Sequence, residues 1–243
     1  MATYISSDWH GKYDLWEQVK AFLQPEDKLI YLGDAVDRGS RGWDLLIELL
    51  TDDRVTFIKG NHEDLFETYM ILKGKKKKQA YQDWINNGGD ETIENIYQNG
   101  LTLESELVQS VVEVLKYLPI EATYTNSAGQ VFHCTHAGFT PGVKRDNLDY
   151  GNRYWDTIWD RKHITDNWPL AHDNTYIIHG HTPCVNFKMF GLETEGYGPI
   201  TYCQDHKINL DMATPFSNQL CLFNPDTFQV YVFTSKGEKY NGF

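Results

Sequence analysis

The stretch Leu29-Ile30-Tyr31-Leu32-Gly33-Asp34-Ala35-Val36-Asp37-Arg38-Gly39 decides how the rest of the chain is read. Four apolar residues stop at Gly33, and two carboxylates and a guanidinium follow at once. A short apolar run bounded by glycine reads as a buried strand. Charges set at the end of such a strand must face something that needs them, because unpaired buried charge is costly.

The neighbouring segments repeat the pattern. Thr3–Ser7 reads as a strand that ends in Ser7-Asp8-Trp9-His10-Gly11. Leu15, Val19, Phe22 and Leu23 fall at helical spacing, which predicts a helix over Lys12–Leu23. Lys28–Leu32 is the second strand, followed by a helix from Ser40, taken as its N-cap, to Leu50. Arg54–Lys59 is the third strand and runs into Gly60-Asn61-His62-Glu63-Asp64. This β-α-β-α-β opening predicts an α/β fold with parallel pairing.

Residues 64–118 change character and read as a helical insertion, broken at Gly88-Gly89 and including a helix over Leu103–Tyr117. The run Lys73–Lys78 is read as a solvated loop or helix tip, with a docking patch for an acidic partner as the other reading. Strands resume at Ile120–Tyr124, Gln130–Thr135 and Thr175–His179. Lys207–Leu210, Gln219–Phe223 and Phe228–Phe233 then form a C-terminal meander around an Asn-Pro-Asp-Thr turn.

With 243 residues, 41% hydrophobic and 14% aromatic, the chain is expected to form one domain over 1–243. A net charge of −12 argues against long nucleic acids and anionic membrane surfaces as partners. A phosphate-bearing substrate would need its positive charge locally, as metal ions or placed arginines. Cys134, Cys184, Cys203 and Cys221 form no C-x-x-C pair and read as reduced thiols. Residues 1–7 carry no basic or apolar leader, so the expected location is cytoplasmic.

The later strands end as the first three do, in Thr135-His136-Ala137-Gly138 and in Ile178-His179-Gly180-His181-Thr182-Pro183. Loops at the carboxyl ends of strands converge on sites in α/β sheets, so these groups can meet. Carboxylate, imidazole and amide oxygen together suit borderline cations such as Mn²⁺, Fe²⁺ or Zn²⁺. A shared carboxylate holds two cations ~3.5–4 Å apart with a hydroxide between them. Arginines suit a phosphoryl group by bidentate hydrogen bonding. His133, His163, His172 and His206 read as structural.

The ordered pair G-D-x-x-D-R-G and G-N-H-E, with two histidine motifs downstream, resembles the calcineurin-like metallophosphoesterases. Within them it resembles the serine/threonine protein phosphatase branch, near small bacterial and bacteriophage members and symmetrical diadenosine tetraphosphatases. The resemblance implies two mixed β-sheets packed face to face, with helices outside. It implies that Asp8 and His10 bind one metal, that Asp34 bridges, and that Asn61, His136 and His181 bind the second. His62 would be the general acid, Asp37 its orienting partner, and Arg38 and Arg161 the phosphate clamps. The cofactor would be two divalent ions, Mn²⁺ first, with Fe or Zn as alternatives.

Three departures stand out. Trp9 replaces a smaller aliphatic, Pro183 stands where related nucleases place a further histidine, and Asp211-Met212-Ala213 replaces D-T-G. The absent histidine favours the protein phosphatase branch. The expected reaction is direct attack of the metal-bridging hydroxide on phosphorus, on a phosphoprotein at phosphoserine or phosphothreonine. Dinucleoside polyphosphate hydrolysis is the alternative, since the aromatics of Tyr150–Arg161 could stack a base. A catalytically inactive binding module would lack a ligand, the acid or an arginine, and none is missing.

Overall fold

The computed structural model describes residues 1–139, 152–166, 174–194, 196–237 and 239–241. Its first half is β1 (Thr3–Ser6), α1 (Tyr13–Phe22), β2 (Lys28–Tyr31), α2 (Gly42–Thr51) and β3 (Val55–Phe57). Four helices follow: α3 (Asn61–Ile71), α4 (Gly74–Asn86), α5 (Gly89–Gln98) and α6 (Glu106–Leu115). Then come β4 (Glu121–Thr125), β5 (Val131–Thr135), α7 (Asn152–Ile158) and β6 (Thr175–His179). The chain continues through β7 (Ile200–Tyr202), β8 (Lys207–Asn209), α8 (Thr214–Ser217), β9 (Gln219–Asn224), β10 (Gln229–Thr234) and β11 (Lys239–Asn241).

The strands form two mixed sheets, ordered β11-β10-β9-β1-β2-β3 and β4-β5-β6-β8-β7. In the first, β1, β2 and β3 run parallel and β9 is antiparallel to β1. In the second, β5, β6 and β8 run parallel, flanked by antiparallel β4 and β7.

Alternation along the strands sorts the core into layers, because successive side chains point to opposite faces. Ile5, Ile30, Cys221, Phe223, Val230 and Val232 meet Phe132, Cys134, Ile178 and Ile208 between the sheets. Tyr4, Leu29, Tyr31, Leu220, Leu222 and Phe233 face the other way, onto Leu15, Trp16, Val19, Leu45, Leu49 and Leu115 of the helices. Trp9, which breaks the usual pattern, is fully buried in that helical layer, beside Trp16 and Tyr31.

This architecture is the two-sheet, helix-flanked fold expected, and it differs in detail. Residue Ser40 does not cap α2, which starts at Gly42 after Arg41. The cause is close packing: a Cβ on Gly39 would lie 2.1 Å from the His10 carbonyl, so the chain turns here before the helix begins. The helices expected from residue 64 begin at Asn61 instead. Lys73–Lys78 is the exposed entry to α4, and the break falls at Gly88, whose φ of 95° suits glycine. Helix α7 and the three-residue strands β7 and β11 were not anticipated.

Candidate metal centre

The loops after five parallel strands end at one place. Asp8 and His10 follow β1, Asp34, Asp37 and Arg38 follow β2, and Asn61 and His62 open α3 after β3. His136 follows β5 and His181 follows β6, so both sheets contribute. The loops stay paired past the strand ends: Asp8 N donates to Gly33 O, His10 N to Asp34 O and Gly180 N to His136 O.

Turning this sharply is costly. Asp8, His10, Asp34, Asp37, Arg38 and His181 all have φ between 44° and 68°, in the left-handed region disfavoured for non-glycine residues. Side-chain and backbone bonds hold them there. Glu63 is fully buried, and its carboxylate accepts from Asp34 N (2.8 Å), Ala35 N (2.8 Å) and Gly60 N (3.0 Å). It thereby fixes the bend that presents Asp34. Asp34 Oδ1 accepts from His62 N (3.0 Å), tying that bend to the first turn of α3.

Glycine makes room for the carboxylates. A Cβ on Gly180 would stand 1.9 Å from Asp8 Oδ2, and one on Gly60 would stand 2.2 Å from Asp34 Oδ1.

The histidine tautomers follow from their outer hydrogen bonds. His136 Nδ1 donates to Leu32 O (2.7 Å), which leaves Nε2 as a lone pair. His181 Nε2 donates to Trp159 O (3.0 Å), which leaves Nδ1 as a lone pair. These two bare nitrogens lie 2.8 and 2.7 Å from Asn61 Oδ1. Three acceptors thus face one another without a proton between them, an arrangement that a cation satisfies. His10 Nδ1 likewise donates to Val36 O (2.9 Å), which leaves Nε2 as a lone pair 3.6 Å from Asp34 Oδ2 that accepts from Arg38.

Burial sharpens the case. Desolvation, with Asp211 nearby, pushes the Asp8 carboxyl well above its usual range. Desolvation, then Asp8 and Glu63, does the same to Asp34. Burial holds His136 down to about 3, and His10 and His181 well below the ordinary imidazole value. Neutral imidazoles beside carboxylates starved of countercharge are the donor set that divalent cations accept. Among the described residues, two groups of possible ligands come within 4.8 Å: His10, Asp34 and His62, and Asp8, Asp34 and His136. Asp34 belongs to both.

His62 and Asp37 form a separate pair, with His62 Nδ1 donating to Asp37 Oδ2 at 2.7 Å. Asp37 also accepts from Trp84 Nε1 (3.0 Å) and Thr92 Oγ1 (2.7 Å). Arg38 is exposed and its Nη1 donates to His10 Nε2 at 3.0 Å. Arg161 is exposed, its Nε donating to Thr182 Oγ1 (3.1 Å), the residue after His181. These contacts gather the ten predicted site residues into one cluster, Arg161 joining it through Thr182 beside His181.

Reading the sequence missed the supports. Glu63 stands inside the quoted G-N-H-E run, yet its role depends on where backbone N–H groups point. Trp84 and Thr92 carry no spacing signal at all. Asp211 caps Ala213 N (2.8 Å) and stays buried, pushed to about 6 by desolvation. His179 is a core residue, with Nε2 2.8 Å from Tyr202 Oη and its ring edge-on to His163. His133 stacks on Phe139 and His206 on Tyr176. His172 lies outside the described residues.

The chain is similar to known proteins over most of its length. Residues 1–210 match the calcineurin-like phosphoesterase family. The chain is 25% identical to serine/threonine-protein phosphatase 2 of Escherichia coli, over 90% of this chain and 91% of that one. Among solved structures it resembles a serine/threonine phosphatase from Saccharomyces cerevisiae, with a TM-score of 0.58, 15% identity, and 93% and 73% of the two chains covered. It resembles a cold-active protein tyrosine phosphatase equally in fold, with a TM-score of 0.58, 14% identity, and 99% and 80% covered. The chain belongs to the calcineurin-like phosphoesterase family and is, with it, a metal-dependent phosphatase.

Proposed function

We propose that the chain is a dinuclear metal-dependent phosphomonoesterase acting on phosphoserine and phosphothreonine in proteins. The observation that carries this reading is the meeting of Asn61 Oδ1 with the bare nitrogens of His136 and His181, beside an Asp34 shared with the His10 group. Asp8 and His10 would hold one cation, Asn61, His136 and His181 the other, and Asp34 both. Mn²⁺ suits this mixed set of three oxygen donors and three imidazoles, and Fe or Zn also fit it. Bound there, the cations would supply Lewis-acid charge and lower the pKa of water so that it attacks phosphorus at neutral pH.

The chain's own residues do the rest. Arg38, in contact with His10, and Arg161, held by Thr182 beside His181, would bind the phosphoryl oxygens. His62 would protonate the departing oxygen from Nε2, while Asp37 holds its other nitrogen and favours the imidazolium. Desolvation and Arg38 hold the His62 imidazole well below its ordinary value, and an arriving phosphate dianion would add a pull toward protonation. Buried free thiols at Cys134, Cys184 and Cys221 favour a reducing, cytoplasmic setting.

The test is a panel assayed with Mn²⁺: an aryl phosphate, phosphoserine, phosphothreonine and phosphotyrosine peptides, mononucleotides and diadenosine tetraphosphate. Turnover of the aryl phosphate and the phosphoserine or phosphothreonine peptides, abolished by chelator, is expected. Turnover of the dinucleotide alone, or of nothing with any divalent ion, contradicts the reading.

A further inference from the structure

We infer that Lys207 is a positioning residue for Arg161, its buried ammonium fixing the turn that carries that guanidinium. This rests on the phosphate-binding role proposed above for Arg161 and names what holds Arg161 in place.

Lys207 stands on β8 with its side chain fully buried. A buried ammonium is costly unless its three protons find acceptors. Lys207 Nζ donates to His163 O, to Asp166 O (3.0 Å) and to Asp166 Oδ1 (2.6 Å). All three acceptors lie within one short segment that begins two residues after Arg161.

The backbone explains why that segment needs a cation. The last carbonyls of a helical turn lack partners inside it. In the turn Lys162–Ile164, Ile164 N donates to Arg161 O and Thr165 N to Lys162 O. The carbonyls that come next, of His163 and Asp166, turn to Lys207.

Upstream, the same stretch is tied down at Trp159. Its Nε1 donates to Asp64 Oδ2 (3.1 Å) and its carbonyl accepts from His181 Nε2 (3.0 Å). Arg161 therefore stands between two anchors, one shared with α3 and His181, the other on the second sheet. A long exposed side chain has many rotamers, so the place of its backbone decides where the guanidinium can reach.

Apolar contacts also attach the turn. Ile164 packs with Phe187 and Tyr202, and the His163 ring lies edge-on to His179. Such burial is non-directional and keeps the segment on the sheet without fixing its register. Hydrogen bonds from a single nitrogen to two carbonyls and a carboxylate do fix it.

The test is a double-mutant cycle on an aryl phosphate at saturating Mn²⁺, read as kcat/KM and as inhibition by inorganic phosphate. Lys207→Met keeps the length and apolar bulk of the side chain and should weaken both about tenfold. In an Arg161→Ala background the same change should alter either by less than about twofold. Asp166→Ala deletes one acceptor from an exposed position and should weaken both about threefold, again only while Arg161 is present. It decides the question should Lys207→Met fail to fold. Wild-type values in these variants, or losses that multiply undiminished with that of Arg161→Ala, overturn the inference and leave the phosphatase reading intact. Wild-type turnover and phosphate inhibition in Arg161→Ala would remove the phosphate-binding role of Arg161, and this inference with it. No turnover with any divalent ion defeats the proposed function and the inference together.

Discussion

His62 Nδ1 donates to Asp37 Oδ2 at 2.7 Å, with both side chains almost wholly excluded from solvent. An imidazole held this way has one nitrogen committed and one left to transfer a proton. A general acid matters most where the leaving group is a poor one. His62→Asn should therefore reduce kcat on an alkyl phosphate about a hundredfold more than on an aryl phosphate. Equal losses on both substrates would remove the assignment.

Trp84 acts on the same pair from outside. Its indole N–H reaches both Asp37 oxygens, at 3.0 and 3.1 Å, while its ring stacks on Phe66. Trp84→Phe keeps the ring and deletes the donor, so one charge-assisted bond to Asp37 is lost. Turnover of an alkyl phosphate should fall about tenfold with KM and Mn²⁺ affinity unchanged. An unaltered kcat would show that Trp84 serves only packing.

Gly180 tests whether space beside Asp8 is required. Any Cβ there meets Asp8 Oδ2 at 1.9 Å and Ser7 Oγ at 2.0 Å, so Gly180→Ala must displace the carboxylate. Disturbing the support of a ligand costs ~10–100-fold in metal affinity. Calorimetric titration with Mn²⁺ should show a loss of that order, whereas wild-type affinity in the variant would place Asp8 outside the metal centre.

His179 predicts how stability varies with pH. Burial lowers its pKa from 6.5 to about 3, so the folded state resists a proton that the unfolded chain accepts. The stabilisation is complete above pH 6.5 and is lost as pH falls from there toward 3. At ~1.4 kcal/mol per pH unit, the drop from pH 6.5 to pH 5 removes about 2 kcal/mol. Urea unfolding of chelated protein should show a shallower pH dependence for His179→Asn than for wild type. Parallel curves would contradict this.

Much of the centre is legible in the sequence because each strand announces its own end. Ile30-Tyr31-Leu32-Gly33-Asp34 is an apolar run, a permissive residue and a ligand in order, and the same grammar marks Asp8, Asn61, His136 and His181. Local periodicity carries that far and no farther. Trp84 and Thr92 reach Asp37 across 47 and 55 residues, a pairing made by the packing of α4 on α3 and of α5 on α2 and α4. Ile200–Tyr202 is too short for alternation to register, and it becomes a strand only by pairing with Lys207–Asn209. The tautomers of His136 and His181 depend on two carbonyls, of Leu32 and Trp159, that no spacing rule identifies.

The most direct measurement is the number of Mn²⁺ ions bound per chain at saturation, by metal analysis after equilibrium dialysis. Two ions in the wild type and one in His181→Ala are predicted, because in the proposed function Asn61, His136 and His181 would hold one of the two. A single ion in the wild type, or two retained in His181→Ala, would contradict the account.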